Sequence, residues 1–121
     1  MELNQYTETA LTLNADCDFR RNMKPSALFR YVEQAAADHA RAYGMDDAFF
    51  AAHHTAFLVG KQAVEIYRMP TRAEKLVLKT ACEPCKKGSM KRITHIQDEA
   101  GNELAMVDCR WIVVDTDNER I

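Results

Sequence analysis

The chain has 121 residues, with 16 Lys and Arg against 18 Asp and Glu for a net charge of −2, and 47% of its residues are hydrophobic. That length supports a single domain over residues 1–121 with a modest core. Near-balanced charge argues against bulk nucleic-acid binding, no apolar run reaches membrane length, and Met-Glu-Leu-Asn-Gln is not a signal peptide, so a cytoplasmic protein with no membrane partner is expected.

Gln5 to Leu13 alternates, with Thr7, Thr9, Leu11 and Leu13 on one side and Tyr6, Glu8, Ala10 and Thr12 on the other. This pattern predicts a half-buried first strand. Asn14 to Lys24 is a polar approach to the stretch around which the chain is organised. There Leu28, Tyr31, Val32, Ala35, Ala36, His39, Ala40 and Tyr43 recur at three- and four-residue steps, which places them on one face of a helix over residues 24–43. Its alanines let it lie close to whatever covers it. Pro25 suits the first turn, Gly44 suits the stop, and Asn22, Lys24 and Ser26 all qualify as the N-cap. Asp46 or Asp47 starts a short second helix carrying Phe49 and Phe50, either as a connector plugging the core or as a lid over an apolar pocket.

Phe57 to Met69 reads as a second strand with Gly60 at a bulge. Lys75–Cys82 and Ser89–Gln97 alternate as the third and fourth strands. In the fourth, Met90, Arg92, Thr94 and Ile96 oppose Lys91, Ile93 and His95. Asp98 to Asn102 forms a hairpin turn, and Glu103–Val114 is the fifth strand, whose apolar character suggests a central position. Short turns make antiparallel neighbours, so the expected class is α+β: one long helix against a five-stranded antiparallel sheet. Such a sheet leaves edges for a dimer to cover.

The four cysteines, Cys17, Cys82, Cys85 and Cys109, are expected as free thiols. Cys82-Glu-Pro-Cys85 has zinc-knuckle spacing but no matching second pair, and it sits between strands rather than opening a helix. His53 and His54 are adjacent and point apart, a poor metal pair. No metal or other cofactor is expected.

The order strand, helix, four strands resembles the hotdog fold. Asp18-Phe-Arg-Arg-Asn22-Met23 with Tyr31-Val-Glu33-Gln-Ala35 resembles the hotdog thioesterase signature: Asp, three residues, His, an apolar residue, two Asn, then an aromatic and a Glu on the helix. Asp18 stands at the catalytic aspartate and Glu33 at the helix glutamate, while Asn22 replaces the His and Lys24-Pro25 replace the asparagines. Glu33 to Gly44, Arg92 to Gly101 and Trp111 to Asp115 are similar to the first hotdog half of acyl-ACP thioesterases, within the 4-hydroxybenzoyl-CoA thioesterase-like superfamily. In the two-half enzymes the Asn and His usually assigned to catalysis lie in the second half, and this chain ends at Ile121, where that half would begin. The resemblance implies hydrolysis of acyl-ACP or acyl-CoA by a homodimer or dimer-based tetramer. The alternative is a non-catalytic acyl-binding hotdog protein. Hotdog dehydratases need a His near the start of the long helix, and none occurs between Asn14 and Asp38.

Thioester hydrolysis needs a carboxylate to attack or to activate water, donors for the carbonyl oxygen and an apolar slot. Asp18, Asn22 and Glu33 are the candidate catalytic residues, with Asp18 favoured for the larger effect. Glu33 would flank the buried stripe beside Phe29, half-buried, with its pKa raised by desolvation. Against these roles stand a loop Asp bonding its own backbone, a loop Asn, and a Glu bonding a neighbouring strand. Free N–H groups in the first helical turn would polarise the oxygen. Phe29, Phe49 and Phe50 are the candidate acyl contacts. Arg20, Arg21 and Lys24, and a second cluster of Lys86, Lys87, Lys91 and Arg92, read as solvated surface or as contacts for coenzyme A phosphates or an acidic carrier. His39 and His95 read as structural.

Overall fold

A computed structural model describes residues 5–84 and 86–117; Cys85 lies outside them. Strand β1 is Gln5–Leu11, helix α1 Pro25–Ala42, helix α2 Asp47–Ala52, and strands β2 to β5 are Thr55–Ile66, Lys75–Cys82, Ser89–Gln97 and Glu103–Asp115. The five strands form one sheet in the order β1-β3-β4-β5-β2, every neighbouring pair antiparallel. Helix α1 crosses its inner face. Among the described residues no helix is long and apolar enough to cross a membrane.

The helix forms where the periodicity places it. Ala27, Leu28, Val32, Ala35, Ala36 and His39 are its buried residues. Pro25 occupies the first position, Lys24 is the N-cap without a side-chain bond, and Gly44 takes φ +84° just past the end. Asp46 caps α2 by accepting the Phe49 N–H at 2.9 Å. Leu28 and Val32 meet Leu76 and Leu78 of β3, Ile96 of β4, and Leu104 and Val107 of β5 in a single core.

Strands β3 and β4 keep their predicted bounds. Strand β1 stops at Leu11, because Thr12 donates to the Glu74 carbonyl and the Leu13 N–H donates to the Tyr31 hydroxyl. Tyr6, Glu8 and Ala10 form its inner face, while Thr7, Thr9 and Leu11 are exposed. Strand β2 starts two residues before Phe57 and ends at Ile66, short of Met69. Its register against β5 slips between Val59 and Lys61, which places Gly60 at the bulge. There an added Cβ would lie 2.9 Å from Ile112 Cγ1. Strand β4, not β5, is the middle strand. The apolar character of β5 goes with pairing on both sides, to β4 and β2, over residues 105–112.

Candidate active site

Helix α1, helix α2 and strands β2 to β5 line an open apolar cavity of about 570 Å³. The helix turns Ala36, Ala37 and Ala40 toward it. Three methyl side chains at helical spacing leave room that leucines would fill. Phe50 of α2 and Phe57 of β2 form an opposing wall, packed edge to face with centroids 5.6 Å apart. Phe49 is outside this lining and lies against His53, 4.1 Å between centroids.

The buried interior of the cavity is polar at one point. Arg92 of β4 is buried, and its Nη1 donates to His39 Nδ1 at 2.8 Å and to Thr80 Oγ1 at 3.0 Å. Thr94 Oγ1 donates in turn to Thr80 Oγ1 at 3.0 Å. A guanidinium has only donors, so His39 Nδ1 accepts and the imidazole is neutral with its proton on Nε2. The ring stacks on Tyr6 at 5.4 Å and meets Tyr43 edge-on. His39 is thus a satisfied core histidine. Burial pushes the Arg92 guanidinium below its ordinary value, but arginine remains charged.

Of the sequence candidates, Glu33 and Phe50 reach this cavity. Glu33 stands at the rim and is exposed, not half-buried as expected. Asp18 lies in the exposed loop before α1. Its Oδ1 accepts the backbone N–H of Arg20 at 2.9 Å and of Asn22 at 3.1 Å, the loop-shaping bonds of an Asx turn. Asn22 is half-buried and bridges to Thr71. Arg20, Arg21 and Lys24 are exposed, with the Arg20 guanidinium 5.4 Å above the Phe19 ring. Phe29 packs against the core. The Asp18 loop and the helix start are separated from Glu33 by two turns, about 12 Å along the axis, so Asp18 and Glu33 do not share the cavity within one chain. The first turn offers fewer donors than expected. Pro25 has no N–H, and Ala27 and Leu28 both donate to the Lys24 carbonyl.

Sequence reasoning grouped Arg92 with surface lysines. The alternation of β4 already carried the correction, since Arg92 shares its face with Thr94 and Ile96, both buried, while Lys91 is on the opposite face. Trp111, another cavity residue, had no such signal. His95, on the outer face, lies 2.7 Å from Glu103. Cys17, Cys82 and Cys109 are free thiols, and no group of three or more metal-ligating side chains occurs among the described residues.

A five-stranded antiparallel sheet wrapped on one long helix, with an apolar cavity between them, defines a hotdog-fold domain. The chain belongs to the acyl-ACP thioesterase family: residues 4–121 match the acyl-ACP thioesterase N-terminal domain. A crystal structure from Lactobacillus plantarum with a provisional oleoyl thioesterase assignment is similar at TM-score 0.92 and 22% identity, over 97% of this chain and 45% of that one. An acyl-ACP thioesterase from Bacteroides thetaiotaomicron is similar at TM-score 0.89 and 18% identity, over 96% of this chain and 48% of that one. The chain thus spans about half the length of each. A 1,4-dihydroxy-2-naphthoyl-CoA thioesterase from Synechocystis is similar at TM-score 0.86 and 9% identity, over 96% of this chain and 86% of that one. No curated protein matches the chain significantly.

Proposed function

We propose that this domain binds acyl thioesters of an acyl carrier protein or coenzyme A and hydrolyses them. The observation that carries the reading is the apolar cavity with a carboxylate, Glu33, at its exposed rim. The acyl chain lies between the alanines of α1 and the Phe50–Phe57 wall, and its thioester sits at the mouth. Glu33 there either activates water or attacks the carbonyl. Asp18, with Asn22 shaping its loop, joins the site only from a second subunit. That arrangement fits a homodimer built on the outer strand β2, which exposes Leu58, Val59 and Ile66. Arg20, Arg21 and Lys24 face solvent, free to meet an anionic carrier.

A second reading, a non-catalytic acyl-binding domain, is favoured by one observation: the Asp18 carboxylate is engaged by its own loop and is absent from the cavity. Assay of the purified protein against a panel of acyl thioesters separates the two. Glu33→Gln and Asp18→Asn keep shape and remove charge. Loss of a general base costs about 10² to 10⁴ in rate, and we expect that loss in turnover from Glu33→Gln with folding intact. Wild-type rates in both variants would refute the assignment. Absence of hydrolysis by the wild type would establish the binding reading.

A further inference from the structure

Arg92 is 5% exposed, and among the described residues no carboxylate forms an ion pair with it. Its Nη1 is satisfied twice, but by neutral partners, His39 and Thr80. Its Nε is buried with no acceptor. The Trp111 indole N–H is in the same condition, on the adjoining strand where Trp111 pairs with Met90. Both residues line the apolar cavity beside α1. A buried cation without counter-charge is costly, and buried donors are almost always paired. The neighbouring Cys109 does not compensate, because burial pushes its thiol up. The two carboxylates of the lining, Glu33 and Asp47, are both exposed, whereas Arg92 is buried.

The lining of the apolar cavity thus includes a buried guanidinium with no carboxylate paired to it. A plain alkyl chain would fill the cavity and leave the guanidinium uncompensated. We propose that the cavity takes acyl groups whose far end carries a carboxylate, bound by the Arg92 guanidinium. The proposal rests on the acyl-thioester reading above and specifies its substrate class. The thioester remains at the rim beside Glu33, the methylene chain lies along Ala36, Ala37 and Ala40, and the distal carboxylate supplies the missing counter-charge. Arg92 acts on specificity, away from the reacting carbonyl.

Two thioether analogues that cannot be hydrolysed, octyl-CoA and 7-carboxyheptyl-CoA, test this by titration calorimetry. The wild type is expected to bind the carboxylate-ended analogue at least about tenfold more tightly, the scale of a charge-assisted hydrogen bond. Arg92→Met should bring that ratio to about one, and Arg92→Lys should keep part of it. Equal or tighter binding of octyl-CoA by the wild type overturns the proposal, as does an Arg92→Met variant that weakens both analogues equally. If Arg92→Met does not fold, the wild-type ratio alone decides. Hydrolysis of suberoyl-CoA and octanoyl-CoA is scored separately. A tenfold binding preference without hydrolysis removes the hydrolase reading and leaves the carboxylate site standing. Hydrolysis with no preference removes the carboxylate site alone, and no binding of either analogue at millimolar concentration removes both.

Discussion

Glu8, on the inner face of β1, gives the domain a stability that should fall as pH rises. Burial, followed by the neighbouring Asp38 carboxylate of α1, pushes its pKa from the ordinary 4.5 to about 7. Asp38 is held in place by Gln34 Nε2 at 2.9 Å and Arg41 Nη1 at 3.0 Å, so it cannot turn away. Between pH 4.5 and 7 the folded chain therefore holds a proton that the unfolded chain releases. Stability from this proton is complete below the unfolded value and is lost as pH climbs through 7. A displacement of that size has a ceiling of about 3.4 kcal/mol. Glu8 is only half-buried, so solvent screening reduces it to about 1 kcal/mol. For a domain this size 1 kcal/mol corresponds to about 4 °C in Tm. Thermal melts of wild type and Glu8→Gln from pH 5 to pH 8 are the assay, since Gln mimics the protonated acid throughout. The wild type should lose about 4 °C relative to the variant across that range. Asp38→Asn in the wild-type background should shrink the loss. A difference between wild type and Glu8→Gln that stays constant with pH would refute the reasoning.

The other predictions address core, assembly and surface. Leu28 is fully buried between α1 and the sheet, so Leu28→Ala should cost about 3 kcal/mol, read as a Tm drop of about 12 °C by calorimetry. Sedimentation at micromolar concentration should show a dimer, and Leu58→Lys on the outer strand should shift it toward monomer; a monomeric wild type contradicts the sheet-continuation model. Raising salt several-fold should raise the KM for carrier-bound substrates if Arg20, Arg21 and Lys24 guide them. A KM unmoved by salt and by charge reversal at Arg20 and Arg21 makes the cluster ordinary surface.

The fold was legible because its periodicities are clean. Leu76, Leu78 and Thr80 alternate with Lys75, Val77 and Lys79, so β3 had the bounds the pattern predicts. The helix stripe from Leu28 to His39 has a single period, and Gly44 marks its stop. Ends decided by side chains from elsewhere were less legible. β1 stops where Tyr31, eighteen residues away, caps the Leu13 N–H. The apolar composition of β5 goes with its pairing on both edges, to β4 and β2, and does not give its rank in the strand order. The site was only half legible for a similar reason. A motif match places Asp18 by analogy, while its two backbone bonds are local geometry that no motif states. Arg92 was misfiled because charge was counted along the chain, when its face in the pleat decides whether it meets water or the core.

The alanines of α1 separate two properties that are often tied together. Leu28 and Val32 hold the helix on the sheet, whereas Ala36, Ala37 and Ala40 determine how much space is left beside it. Enlarging one of the latter would shorten the bore without touching strand register or the Glu33 carboxylate. If the cavity holds the acyl chain as proposed, the accepted length can be retuned one methyl group at a time while the fold and the Glu33 rim stay in place.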